Sequence, residues 1–313
     1  MMHAFSRNKL KARMFFQLFM KVILGITIFC LFNPLIPALP SNIPLDPSWV
    51  IGLNQAVAQK IAFGQDLVFT FGPYAAVYTK AFHPATNHLE MVGSLYLAIL
   101  YIVALLKVLQ KANSFILIGL WIVLAAFTTH LDALFLSYAL LAGIYCWQIL
   151  YTPSSNANRD HRHAITIGLL FSGFGLYPLI KGPHFVVFLP IAFLVMIAFA
   201  RKRRWLEAFL IPIAIASSMI GFWLYAGQSL ANLPDYFFGL VQLINGFAQA
   251  MSIYGDSIEP SLYLIAAGSI LIFLLLQNGL RFRSLWLSLI FLFFLVAAFK
   301  AGFVRHDGHA LMS

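Results

Sequence analysis

The sequence predicts an all-α, polytopic transmembrane helical bundle with a cytoplasmic N-terminus, and three observations point to it. Hydrophobic residues fill 61% of the 313 positions and charged residues only 10%, too little polar surface for a soluble domain. The apolar runs are long and lack two-residue alternation, so their backbone amides can be satisfied in hydrocarbon only within helices. The basic residues are divided unequally between the segments that join those runs. The first observation excludes soluble enzyme classes. The net charge of +10, which in a soluble protein would suggest nucleic acid, becomes a matter of topology, and no nucleic-acid partner is expected.

With about 20 apolar residues as the ruler for a span, nine helices fall at 15–39, 91–109, 115–129, 134–151, 164–180, 184–200, 205–226, 261–280 and 285–299, the third being short. With the N-terminus inside, fifteen of the 20 basic residues lie on inside segments or inside span ends, and Lys60, Lys80, Lys181, Lys300 and Arg305 lie outside. Eight of the ten acids, Asp46, Asp66, Glu90, Asp132, Asp235, Asp256, Glu259 and Asp307, fall outside. Acids contribute little to topology, so their asymmetry hints at polar chemistry on that face. The N-terminus reads as an uncleaved signal anchor, with basic residues ahead of the first apolar run and no clear small-x-small site after Cys30. Cys30 and Cys146 fall within spans, so neither a disulfide nor a redox role is expected.

The chain reads as a single membrane domain, 1–313, with three external parts: a loop at 40–90, a loop at 227–260 and a C-terminal cluster at 300–313. In the first loop, Asp46-Pro47-Ser48-Trp49 has a helix-start pattern, and Trp49, Leu53, Val57 and Ile61 recur every fourth residue, with Asn54, Gln55, Gln59 and Lys60 away from that stripe. This predicts a short amphipathic helix lying in the membrane interface. Next comes Gly64-Gln65-Asp66-Leu67-Val68-Phe69-Thr70-Phe71-Gly72-Pro73-Tyr74, whose glycines and proline hold Asp66 in place, for chemistry or as the cap of a turn. Asp46 reads equally as a helix cap or as a base. In 227–260, Asp235, Asp256 and Glu259 with Tyr236 and Tyr254 fit an acceptor groove or, more simply, a soluble loop.

The last helix ends in Lys300-Ala301-Gly302-Phe303-Val304-Arg305-His306-Asp307-Gly308-His309. Lys300, Arg305, His306 and His309 suit a lipid phosphate, whereas His306, Asp307 and His309 are too few and too common to name a metal. A basic-aromatic anchor at the interface is the plainer alternative. Elsewhere, His130 and Asp132 share a tight turn and either pair or are solvated, Lys181 faces lipid headgroups or a lipid phosphate, and Arg201-Lys202-Arg203-Arg204 fixes topology and touches anionic lipid. Phosphate-binding Gly-x-x-x-x-Gly-Lys, Gly-x-Ser-x-Gly and His-Glu-x-x-His patterns are absent.

The order of a basic N-terminus, one span, an external loop with Asp46 and Gly64-x-Asp66-x-x-Phe69-Thr70-Phe71-Gly72-Pro73, and then a run of spans resembles the GT-C-fold membrane glycosyltransferases. It is most similar to bacterial multi-spanning members with an FTYGPLG-like first periplasmic loop and a GFVRHDGH segment. The resemblance covers roughly the first 110 residues in detail. It implies a polyprenyl-phosphate sugar as lipid-linked donor, transfer on the periplasmic face of a bacterial inner membrane, and Asp46 and Asp66 as base or metal-binding residues. It also implies Thr70, Gly72 and Pro73 as part of the site loop and Lys300, Arg305, His306 and His309 as phosphate partners, with Asp307 the one weak metal candidate. No cofactor is fixed, and a divalent cation stays open. Asp46 lacks the second acid or histidine often beside it in the family, and Tyr74 replaces the usual leucine. The similar proteins continue into further spans, so a truncated product is one reading of a chain ending at Ser313. The alternative is a non-catalytic transporter, flippase or scaffold component, with membrane lipids as its only partners indicated and no protein partner readable. Convergence of 46–73 with 300–309 separates the two.

Overall fold

The computed structural model describes residues 2–34, 45–128, 131–151, 157–277, 281–304 and 306. Among them every element is helical: α1 Met2–Phe32, α2 Leu45–Ala58, α3 Ala75–Thr79, α4 Asn87–Val108, α5 Ser114–Ala126, α6 Leu131–Tyr151, α7 Ala157–Ile180, α8 Phe185–Arg201, α9 Trp205–Tyr225, α10 Leu233–Met251, α11 Ile258–Leu276 and α12 Phe282–Phe303, with short 3-10 turns at Gly182–His184 and Leu230–Asn232. Eight helices carry apolar stretches of 19–22 residues, long enough to cross a bilayer, and α5 is a shorter apolar helix of 13 residues. The protein is therefore an all-α bundle of the multi-pass membrane type. Large apolar side chains point outward along it, Phe115, Phe209 and Phe273 among them, as they must where the solvent is lipid.

Side-chain contacts fix the direction of each helix. Gln17 Nε2 donates to Ala112 O at 3.4 Å and Trp121 Nε1 to Thr27 Oγ1 at 3.2 Å, so α1 and α5 run parallel. Tyr101 pairs with Ser137 at 2.8 Å and Gln148 Nε2 donates to Val108 O at 3.3 Å, so α4 and α6 also run parallel. The helix between them, α5, thus carries the chain back from one end of the bundle to the other. Tyr145 meets His163 at 3.1 Å, and Tyr138 donates to Leu170 O at 2.6 Å, which sets α7 antiparallel to α6. Trp147 Nε1 donates to Arg283 O at 3.0 Å and does the same for α12.

Those directions gather Asp66, Glu90, Asp132, Asp235, Asp256 and Glu259 at one end, hereafter the acidic end, and Arg162, Arg201, Lys202, Arg203, Arg204, Arg281 and Arg283 at the other, the basic end. An aromatic core lies between α6, α7 and α8, where Tyr177 stacks on Tyr138 at 5.3 Å and on Phe188 at 4.3 Å between ring centres. The helices α7 and α9 touch backbone to backbone, since a Cβ on Gly175 would run into the Ile215 carbonyl and lie 2.6 Å from the Met219 nitrogen. Small residues permit this approach, the usual basis of close packing in lipid.

Two expectations are corrected. The stripe of α2 faces protein, because Leu53 is buried and Trp49, Val57 and Ile61 pack on the core, while Asn54, expected on the wet side, is buried and accepts from Thr86 Oγ1 at 2.6 Å. A hydrophobic stripe does not record which apolar partner it meets. The 227–260 segment is not a plain loop, since it holds α10, a 19-residue amphipathic helix with Pro234 and Asp235 in its first turn.

The contact between α7 and α9 gives a paired test. Gly175→Ala should lower the stability of the protein in mixed micelles by about 1–3 kcal/mol through overpacking. Gly221→Ala, on α9 with nothing within 4 Å, should be neutral or mildly stabilising. Equal unfolding midpoints for the two variants would show that the helices are not in backbone contact.

Candidate site at the acidic end

After α2 the chain turns tightly: Gly64 N donates to Leu67 O at 2.8 Å and Asp66 N to Ala62 O at 2.9 Å. Gly64 has φ +94°, and a side chain there would strike the Tyr236 backbone, so only glycine serves both needs. Asp66 is exposed, and its Oδ2 accepts from Ala62 N at 3.3 Å, which closes its own turn. Gln65 Nε2 reaches Asp235 Oδ2 on α10 at 3.1 Å. Gln228, buried and unremarked in the sequence, clamps the turn by accepting from Phe63 N at 3.0 Å and donating to Ile61 O at 3.1 Å.

The next residues lie against the end of α7 as an antiparallel pair. Gly182 N donates to Thr70 O at 2.7 Å, Gly72 N to Ile180 O at 3.2 Å and Tyr74 N to Leu179 O at 3.0 Å. A side chain at Gly72 would run into the Leu179 carbonyl, and Pro73 is buried beside it. Thr70, Gly72 and Pro73 thus hold the segment in place. Tyr236 Oη donates to Pro178 O at 2.7 Å beneath them, and burial pushes that phenol well above its ordinary range.

This pairing sets Phe71 opposite Lys181, and Lys181 is the centre of the site. Its ammonium lies 2.6 and 2.7 Å from the two Asp132 carboxylate oxygens, 4.5 Å from the Tyr78 ring centre and 5.6 Å from that of Phe71. His184 is buried, stacks on Phe135, and brings Nε2 to 3.6 Å from Asp132, just beyond hydrogen-bond reach. Burial and the Asp132 charge together hold the Tyr78 phenol protonated far above its usual range. Trp49, one turn into α2, stacks on Phe71 at 4.9 Å and meets Phe69 at 5.7 Å. Asp46 falls in the first turn of that helix, which begins at Leu45 rather than after Asp46, and its side chain lies outside the described structure.

A second lysine is drawn inward nearby. Lys80 ends α3 in the left-handed region at φ 56°, and its Nζ donates to Phe32 O, the last carbonyl of α1, at 2.5 Å and to Ser94 Oγ at 3.1 Å. Burial lowers its pKa to about 8, with Glu90 acting in the opposite sense.

The C-terminal candidates lie elsewhere. Lys300 is exposed in the last turn of α12, and His306 Nε2 meets Glu259 at 2.6 Å while packing on Gly255 and edge-on to Phe303. Arg305, Asp307 and His309 lie outside the described residues, as does His130. Ile253 N donates to Val304 O at 3.2 Å just past the C-terminal end of α10, whereas the Asp66 turn meets its N-terminal end. A helix of 19 residues is about 28 Å long at 1.5 Å per residue, so Asp66 and His306 sit at opposite ends of it. They do not converge. Among the described residues no three of His, Cys, Asp and Glu gather closely enough to hold a metal ion.

No known protein family, curated protein or solved structure matches the chain.

In the sequence Asp132 and Lys181 read as separate charges, one paired with His130 or solvated and the other turned to lipid headgroups or a lipid phosphate; the structure pairs them across 49 positions. The usable signal was two lone opposite charges at span ends in a charge-poor bundle. With side chains 20% and 10% exposed, breaking the pair leaves a charge buried. Lys181→Met and Asp132→Asn should each cost about 3–5 kcal/mol, and Lys181→Met combined with Asp132→Leu should recover most of it. Single variants each costing under about 1 kcal/mol would mark the pair as a solvated surface contact.

Lys80 predicts a pH effect of definite sign. Its folded pKa of about 8 lies below the ordinary lysine value of 10.5, so between those limits the unfolded chain binds a proton that the folded chain has released. Stability therefore rises with pH across that window, and the Lys80 penalty is fully present below it. Unfolding midpoints of wild type and Lys80→Met, compared from pH 7 to about 10.5, should shift in favour of wild type as pH rises; a constant difference would place the amine in water.

Proposed function

We propose that the chain is a GT-C-like membrane glycosyltransferase that takes a sugar from a polyprenyl phosphate at its acidic end. In this reading it crosses a bacterial inner membrane nine times, with the basic end and the N-terminus cytoplasmic and the acidic end periplasmic. The parallel course of α4 and α6, which requires α5 to return the chain, supports the ninth crossing, and the charge division supports the orientation.

The observation that carries the enzymatic reading is the stacking of Trp49, one turn after the start of the first-loop helix that carries Asp46, on Phe71, whose ring neighbours Lys181 of the Lys181–Asp132 pair. In transfer, the acceptor oxygen bonds to the anomeric carbon, the bond to the phosphate oxygen breaks, and the acceptor proton goes to a carboxylate. Asp46 is assigned as that base. Lys181 has three N–H donors, of which Asp132 engages two and Tyr78 Oη accepts the third at 3.4 Å; that long third bond is assigned to give way to the leaving phosphate. The half-buried aromatic rings of Trp49, Phe69 and Tyr78 give the sugar faces to rest on. Asp66 is assigned to the turn that positions the loop, and His306 to a clip between α12 and the start of α11. A divalent cation is not assigned to any residue.

The non-catalytic reading, a transporter, flippase or scaffold component, is favoured by one observation: Asp66 and His306 both satisfy local contacts and lie far apart.

Reconstituted protein supplied with a fluorescent polyprenyl-phosphate sugar distinguishes the two. Asp46→Asn and Lys181→Met, scored on folded material, should lower sugar release on the order of 10²-fold or more, while Asp66→Asn and His306→Ala stay within several-fold. Undiminished release by Asp46→Asn would remove it as the base, and wild type that translocates the donor without cleaving it would establish the non-catalytic reading.

A further inference from the structure

The seam between α7 and α9 opens toward the basic end into an outward-facing groove of about 530 Å³. It extends from His161 to Ser172 on α7 and from Leu206 to Ser217 on α9. Eleven residue steps on either helix are about 16 Å, close to half of the roughly 30 Å hydrocarbon thickness of a bilayer. The groove is one leaflet deep.

Its wall and its mouth differ in chemistry. Along the wall, Ser172 Oγ donates to Leu169 O at 2.7 Å and meets Tyr96 Oη at 2.5 Å, and Ser217 Oγ donates to Ala214 O at 3.3 Å. Hydroxyls bonded within the protein leave the wall suited to hydrocarbon, and a crevice with nothing in it would forfeit dispersion contacts on every lining atom. His161, exposed near the start of α7, lines the groove at this end; Arg162 follows it in sequence and Arg203 lies in the turn that precedes α9, held at φ 59°, and both are exposed. Glu207 at the same end is held by Arg204.

We propose that this groove binds one acyl chain of an anionic phospholipid of the leaflet at the basic end, with the lipid phosphate held by His161, Arg162 and Arg203. The phosphate accepts from the guanidinium and imidazole donors while the chain fills the apolar seam, and the position of the basic turn directly ahead of α9 puts charge and groove in register. The site is separate from the acidic end and does not depend on the enzymatic reading.

The test uses the full chain in nanodiscs of equal phosphatidylglycerol and phosphatidylethanolamine, followed by native mass spectrometry in mild detergent. Wild type should retain one lipid, with phosphatidylglycerol favoured about tenfold, as two surface arginines near an anionic headgroup suggest. The double variant Arg162→Ala with Arg203→Ala should lose the preference. Ser217→Leu, which fills the groove, should lose the retained lipid while keeping its thermal unfolding midpoint, and Ala164→Leu provides a second filling variant should the first misfold. Equal retention of the two lipids by wild type overturns the headgroup assignment. Undiminished retention in both filled variants, or a lipid-free dimer, overturns the groove.

Discussion

A lysine ammonium at the rim of a lipid-embedded bundle needs a counter-charge within reach, because hydrocarbon offers it no alternative. For Lys181 that counter-charge is Asp132, and the requirement shapes the whole acidic end. The pair joins the residue that follows α7 to the first turn of α6, and His184, the last residue of the 3-10 turn that leads into α8, abuts the same carboxylate. Phe71 is backbone-paired to Lys181, so the 70–74 segment is registered against it, and Trp49 and Tyr78 follow by ring contact. Such a pair contributes little net stability when intact but costs much when halved, so its main effect is on geometry. Six segments, α6, α7, the turn before α8, the 70–74 stretch, α2 and α3, meet around this one contact.

What could be read from the sequence was what depends on nearby residues. The long apolar runs are local in origin, and among the described residues each of the nine segments they mark holds a helix. The division of charge between loops is likewise additive over short stretches, and the helix directions reproduce it. The Asp132–Lys181 contact was hidden because it joins residues 49 apart, each of which looks like an ordinary loop charge in isolation. The orientation of α2 was hidden for another reason: Trp49, Leu53 and Val57 form the same stripe whether they meet lipid tails or protein side chains. For α10, Gly239, Asn245 and Gly246 interrupt the apolar pattern and disguise a helix as a loop.

The glycines and proline of the first loop show how a structural need imitates a functional signature. Gly64 and Gly72 are demanded by close backbone neighbours, Tyr236 and the end of α7, so their presence says that the loop is docked and says nothing of chemistry. Docking still matters for chemistry, because a loop laid down by three backbone hydrogen bonds presents its side chains from a fixed frame. The polar groups of the acidic end divide accordingly. Gln228, Asp66 and Tyr236 hold the frame, whereas Lys181, Tyr78 and Trp49 stand half-buried beside it.

The short helix α5 has a consequence of a different kind. Thirteen residues give a rod of about 20 Å at 1.5 Å per residue, some 10 Å less than the usual hydrocarbon slab. In the proposed nine-crossing arrangement the surrounding lipid has to thin, or headgroups and water have to dip inward, along the flank formed by α1 and α5. That hydrophobic mismatch makes this flank the place where the bilayer is most easily deformed, and it biases the protein toward thinner membrane regions without any contact that a ligand or partner would have to supply.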